Sequence, residues 1–503
     1  MNKKKLLFMS IVIVLIPISA FAQVGSSTWI KAIGGGELDV GVAVEQTPDG
    51  GYIVVGHFWS FGAHNAFLAK FDSEGEFEWA KVISNTREGF AVDRGPSGNY
   101  FITGETLDNK IFLLKLDSAF NVQWAKAIGG ADIGIYSFPT VQGTSDGGCI
   151  VAATTSGIAA NNRDIFLLKF GSGGDLVWAK AIGGSSSDYG TFVQTTSDGG
   201  YIVVGLSQSF GGGRSLLLKF NSGGGFQWGR NFGGGWEPPY SVQQTSDGGY
   251  IVAGRAVNLN GAYLFKFDSS GNLIWSKTSG AADDEGKIVQ QTSDGGYILT
   301  GCNSNTPRVF LRKFNSLGSL QWAKEISGEG CGFFVQQTSD GGYVVTGQTN
   351  GYGAGDKDIF FIKTDSNGNI NDCPPLYDPI PPVTVRDVSP TNVHISPSVT
   401  DITASVPITD LSPTLTDVSP TITSVCPAPA FFDCGLRAYD GTNIIKIACE
   451  PPGTLTSPLR IRGSSPTGSG STTYGIVLVE ITDPSASKIR IRTASGIKAL
   501  RKL

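Results

Sequence analysis

A chain of 503 residues with 40% hydrophobic residues, 69 Gly and only 16% charged residues is long enough for several domains or one large repeat array. Its 43 acidic against 38 basic residues give a net charge of −5, which excludes the overall basic balance of an ordinary nucleic-acid binder. Three His, at positions 57, 64 and 394, leave little for imidazole-based acid–base or nucleophilic catalysis.

Residues 1–22 read as a secretory signal. Lys3, Lys4 and Lys5 form a basic start, Leu6 to Ile18 an apolar run, and Ala20-Phe21-Ala22 a small-x-small cleavage site. The apolar run is short for a membrane span, no second one follows, and no Cys stands at the cleavage point. The expected product is a soluble exported protein, secreted or associated with a cell surface, with no transmembrane segment in the mature chain. Export permits disulfides among the seven Cys. Cys434 with Cys449 and Cys302 with Cys331 are the expected pairs, and Cys149, inside an apolar strand, is the expected buried free thiol.

From residue 23 to residue 372 one phrase recurs. An Asp-Gly-Gly-Tyr turn leads into an apolar run ending in Gly, followed by a Lys-centred apolar run and a Trp-x-Lys/Arg run. The copies centre on Tyr52, Tyr100, Cys149, Tyr201, Tyr250, Tyr297 and Tyr343. In the fifth copy the strands are expected at Ser241–Thr245, Tyr250–Gly254, Tyr263–Phe267 and Leu273–Lys277, since short apolar and aromatic runs bounded by Gly, Asp and Ser are strand signals. Repeats of 46 to 52 residues, each four short strands, predict an all-β chain: a seven-bladed β-propeller. The seventh copy has Lys363 but lacks its Trp run, and an orphan Thr28-Trp29-Ile30-Lys31 precedes the first copy. That N-terminal strand is expected to complete the last blade and remove two free edges.

Spacing separates two faces. The turn Asp lies 7 residues before the Gly that ends strand 2, and the strand-3 Lys lies 9 before the Trp; both distances are constant. The connections from strand 2 to strand 3, and from each copy to the next, vary in length. In an up-and-down blade these share one face, so binding is expected on that variable face. Trp59 with Phe61, and Trp236 with Tyr240, lie there outside the repeat positions and are the expected ligand-binding residues, for stacking on sugars or anchoring a protein. Packing within their own loops is the competing reading.

Other motifs read more plainly. Asp365 to Asp372 has oxygen ligands at alternate positions like a calcium loop, but the other copies put Gly171 or Asn221 at its start, so a hairpin is preferred. His57 and His64 are two ligands at most, too few for a metal centre. The strand-3 Lys is expected to meet an Asp or a Trp face, and the Lys/Arg after each Trp to discourage strand addition at an outer edge. No cofactor is expected.

Residues 373–426 repeat Asp-Val-Ser-Pro-Thr at Asp387 and Asp417, with variants at His394, Asp401 and Asp410. A Pro in nearly every unit excludes a coiled coil, and the expectation is an extended Pro/Ser/Thr linker or stalk, up to ~170 Å at ~3.1 Å per residue. Residues 427–503 are expected to form a small β-rich domain.

The repeat Ser-Asp-Gly-Gly-Tyr-Ile-Val-x-Gly with a later Lys-Phe-Asp-Ser-x-Gly-x-x-x-Trp-x-Lys resembles the β-propeller repeats of exported bacterial and archaeal proteins over about residues 26–372. The resemblance implies a propeller and an extracellular location; it implies no shared activity and carries over no functional residue. A binding module for a glycan or an extracellular protein is the first expectation. A polysaccharide-degrading enzyme using Asp283, Asp284 or Glu285 is the second, and a structural envelope component the third.

Overall fold

The computed structural model describes residues 28–60, 64–129, 138–154, 162–210, 213–233, 238–256, 261–326, 329–351 and 357–370. It also describes the backbone of short strands between 376 and 501. Contacts divide the chain into two units, Met1–Val425 and Cys426–Leu503.

In the first unit the antiparallel pairing groups the strands of residues 29–364 into seven modules of four. Module five is Pro239–Gln244, Tyr250–Ala256, Gly261–Phe267 and Leu273–Ser279, each strand within a few residues of its expected limits. The turn between its first two strands shows why the phrase is written Asp-Gly-Gly. Gly248 takes φ +81, a left-handed conformation that strains other residues, and accepts no Cβ penalty there. Gly249 has ordinary φ, but a Cβ would lie 2.2 Å from the Phe267 carbonyl and 2.5 Å from Lys266 Nζ. Asp247 completes the turn by accepting from Gly249 N at 3.0 Å and from Thr245 Oγ1.

The first strands of the modules touch one another in a closed circle: Asp39–Gln46, Thr86–Arg94, Thr140–Gly143, Asp188–Thr195, Pro239–Gln244, Asp284–Gln291, Gly330–Gln337 and back to Asp39–Gln46. Six of the seven circle contacts carry a side-chain tie of the same kind. Gln142, Gln194, Gln243, Gln290 and Gln336 each accept, through Oε1, the backbone N–H of the next first strand. Asp93 does the same for Gly143 N at 2.7 Å. The Gln336-to-Gln46 link, 2.8 Å, joins the last module to the first.

The orphan N-terminal strand, Trp29–Gly34, pairs antiparallel with Asp358–Thr364, with Trp29 opposite Lys363 and Ile33 opposite Ile359. It supplies the missing fourth strand of module seven. The core is the set of apolar layers between neighbouring modules; between five and six it holds Ile251, Ala253, Leu264, Val289, Tyr297 and Phe314, all essentially removed from water. At the outer end of five such layers the Trp of one module meets the Tyr of the next edge-on, and between modules one and two Phe120 stands between Trp79 and Tyr100. Ring centroids are 5.8 Å apart for Trp29–Tyr52, Trp228–Tyr250, Trp275–Tyr297 and Trp322–Tyr343. Cys149 stands where module three has no Tyr, and it is a buried free thiol.

Two expectations are overturned. Residues 373–426 are no stalk where the structure describes them. Their strands add a fifth strand to the outer edge of every module: Leu376–Tyr377 to module six, Val385–Asp387 to five, Thr391–Ile395 to four, Ser398–Asp401 to three, Ile408–Asp410 to two, Leu415–Val418 to one and Thr421–Ser424 to seven. The Lys/Arg of the Trp-x-Lys/Arg run therefore does not repel strand addition. An unpaired ladder edge exposes a row of N–H and C=O groups, and this segment satisfies them. Pro recurs between the strap strands, not within the described ones, because it breaks a ladder only where one is being made.

The second unit contains two antiparallel hairpins, Phe432–Tyr439 with Ile444–Cys449 and Lys488–Thr493 with Gly496–Arg501. The side chains of Cys434 and Cys449 lie outside the described residues.

Candidate functional site

Each first strand but one carries a β-bulge near its beginning, at the end that joins the variable connections. The extra residue is Val42, Phe90, Thr191, Tyr240, Lys287 and Phe333 in modules one, two, four, five, six and seven. A Gly precedes it in every case except Pro239, and bulges re-aim side chains at the rims of rings and barrels. Six of the seven nearly identical modules thus place unlike residues at equivalent points around one mouth. No spacing in the sequence marks these positions, because a bulge adds a residue to the ladder without changing the motif on either side.

Modules five and six hold the charged sector of this rim. Arg255 donates from Nη1 to Glu285 Oε1 at 3.0 Å and from Nη2 to Asp283 Oδ1 at 2.8 Å. Lys287 reaches Glu285 Oε2 at 2.5 Å, and its ammonium lies 4.0 Å from the centre of the Tyr240 ring. The Tyr240 hydroxyl donates to Glu285 Oε2 at 3.4 Å. Tyr240 is half-buried. Asp284 turns the other way: its carboxylate meets the fully buried Arg312 guanidinium at 2.5 Å. Asp283, Asp284 and Glu285 are thereby each ion-paired, two of them inside one network.

Trp59 follows the second strand of module one. Its indole stacks on His64 with centroids 3.9 Å apart and planes 10° off parallel, and its backbone N–H is held by Asp39 Oδ1 at 3.0 Å. It is half-buried. His57, on the strand before, is buried, and burial pulls its pKa down to about 4. Among the described residues no group of three or more His, Cys, Asp and Glu could hold a metal. Trp59 and Tyr240 stand on different modules, one and five. Phe61 and Trp236 lie outside the described residues.

The opposite, fixed-turn face has a cleft of about 390 Å³ between modules four and five, lined by Asp198, Lys219, Trp228 and Tyr250 among others. Its polar groups serve the frame. Lys219 donates to Asp198 at 2.8 Å, and the same Lys–Asp pair recurs as Lys70–Asp49, Lys169–Asp146, Lys266–Asp247, Lys313–Asp294 and Lys363–Asp340 at 2.8 to 3.0 Å. Burial opposes the Asp198 charge, yet the hydrogen bonds from Lys219, Thr196 and Gly200 N outweigh it and hold the carboxyl at about 2. Asp365, the supposed calcium-loop start, accepts from Asn367 N and Asn369 N at 2.9 and 2.7 Å, as a hairpin does. Cys302 and Cys331 form a disulfide, Cα atoms 4.7 Å apart, as expected from sequence.

All-β modules of antiparallel strands joined in this way define a β-propeller-like fold. The sequence matches no protein-family profile and no curated protein. Solved structures similar in chain trace include a protein of unknown function from Bacteroides caccae, at 12% identity over 59% of this chain and 93% of that one, TM-score 0.36. Puromycin hydrolase is similar at 13% identity over 62% of this chain and 50% of its own, TM-score 0.40. The polysaccharide lyase Uly1 is similar at 10% identity over 67% and 98%, TM-score 0.38. None carries its reaction to this chain.

Proposed function

We infer that this protein is an exported interaction module, a seven-bladed β-propeller that presents the mouth of its inner ring to a glycan or an extracellular protein. One observation carries the reading: six bulge residues of unlike chemistry stand at equivalent places on near-identical modules, so the frame is uniform and only the rim is individual. Tyr240 with Lys287 above its ring supplies an aromatic face and a cation side by side, and Trp59 supplies a second half-exposed aromatic. The Cys302–Cys331 disulfide supports folding in an oxidising compartment, in keeping with the signal-like residues 1–22.

The test is a glycan array probed with the full mature chain, followed by titration of any hit with Tyr240→Ala and Lys287→Ala. Binding weakened about tenfold or more with an unchanged melting temperature supports the site. Unaltered binding in both variants moves it elsewhere, and release of reducing ends from the hit replaces the binding reading with an enzymatic one.

A further inference from the structure

The strap strands and the outer strands are related by charge as well as by hydrogen bonds. Four Asp fall within the strap strands, and backbone register sets every one opposite the Lys of a Trp-x-Lys run: Asp387 opposite Lys277, Asp401 opposite Lys180, Asp410 opposite Lys126 and Asp417 opposite Lys81. His394 stands opposite Arg230 and Ser424 opposite Lys31, the corresponding places of modules four and seven. The intervals between these strap positions are seven residues except one of nine, from Asp401 to Asp410. A Pro follows three residues after Asp387, His394, Asp410, Asp417 and Ser424. Two repeats in one chain, Trp-x-Lys in the modules and Asp-x-Ser-Pro after them, thus meet residue against residue.

We propose that the outer edges of modules one, two, three and five are docking strips for an extended strand that sets an Asp opposite the Lys of the Trp-x-Lys run, filled in cis by this chain's own residues 385–418. Ladder hydrogen bonds are the same for any sequence, so they cannot choose between registers or between edges. Opposite charges set directly across an antiparallel pair choose both, since a one-residue slip turns the acid to the other face. Pro after the acid ends the pairing, having no N–H to give, and lets the chain step to the next module. The strap runs against chain order, from module six down to one and then to seven, so each docked unit confines the next. Seven short, individually weak contacts then act as one multivalent tie around the ring.

The experiment uses the full chain and reads amide hydrogen exchange in the outer strands at residues 81–83, 126–128, 180–183 and 277–279. These segments are expected to be protected well beyond an open sheet edge. In the quadruple variant D387N/D401N/D410N/D417N, which leaves the modules untouched, their exchange should rise about two- to fivefold. High salt should have the same effect on the unmodified chain and little on the variant. Lys180→Asp and Asp401→Lys should each loosen residues 180–183, and the pair together should restore them, which a loss of fold would not do. Exchange at open-edge rates in the unmodified chain, no change in the quadruple variant, or no rescue in the swap overturns the proposal. So does protection that depends on protein concentration with a doubled mass, because the strand would then come from a second copy.

Discussion

At the scale of single residues, acids are treated in two opposite ways. The turn acids Asp49, Asp146, Asp198, Asp247, Asp294 and Asp340 are each held at about 2 by Lys, Thr and backbone donors that outweigh burial. Their contribution to stability is present above the unfolded carboxyl value and is lost as pH falls through about 2. In the inner circle, five modules have Gln at one position where modules one and two have Glu45 and Asp93. Burial, then the Asp93 charge, pushes Glu45 up to about 8, and burial pushes Asp93 up to about 6. A raised carboxyl acts in the other sense: its contribution is complete below the unfolded value and is lost as pH rises through 6 and 8. Melting temperature should therefore peak between about pH 4 and pH 6. Glu45→Gln, which gives module one the side chain of its neighbours, should raise the melting temperature at pH 9 and leave it nearly unchanged at pH 4.5. An equal shift at both values would show that Glu45 stays charged throughout.

Strands and turns are the next scale, and the joint between modules is their unit. Trp275 leaves its strand to cover Gly318, whose φ is +76 and whose Cβ would lie 2.9 Å from the indole, while its edge meets Tyr297. Gly318→Ala should cost about 1–2 kcal/mol in denaturant unfolding, since it strains the turn and pushes the indole off it. Trp275→Ala should cost more, about 3 kcal/mol, by opening the layer end. If Gly318→Ala is neutral, the joint does not depend on that close approach. Trp59 belongs to the same scale. His64 covers one face of its indole, so Trp59→Ala should weaken partner binding while leaving the melting temperature within about 1 °C, if the indole's other face is what the partner meets. A lower melting temperature with full binding would assign it to loop packing.

For the molecule as a whole, stability is held by closure. The Trp29 ring lies 4.5 Å from that of Phe361 and 5.8 Å from that of Tyr52, centre to centre, so one side chain bridges the third strand of module seven to module one. Deleting residues 28–34 exposes the edge of Asp358–Thr364 and strips the closing layer. The expected result is one cooperative transition at a clearly lower temperature by calorimetry; a local loosening of module seven alone would mean that the ring does not need its closing strand.

Sequence alone determined the repeated unit. Four strands per copy, the Asp-Gly-Gly turn and the N-terminal strand for module seven are all legible, because each depends on neighbours close in sequence or on a motif present many times; the strand-3 Lys was legible only as meeting an Asp or a Trp face. The pairing of Cys302 with Cys331 was legible for a related reason, since one lies near the end of the second strand of module six and the other near the start of the first strand of module seven, which the repeat places side by side. Tertiary structure alone decided the rest. Tyr240 stands out in the sequence as an aromatic outside the repeat, but nothing local distinguishes Lys287 from other first-strand residues until a bulge re-aims it, and Asp283, Asp284 and Glu285 look free until Arg255 and Arg312 are brought from other strands. The Pro-rich segment reads as a stalk on its own because its composition forms no helix and no hairpin. It becomes a strand only against an existing edge, where the hydrogen-bonding partners it lacks along its own chain are supplied by another part of the fold.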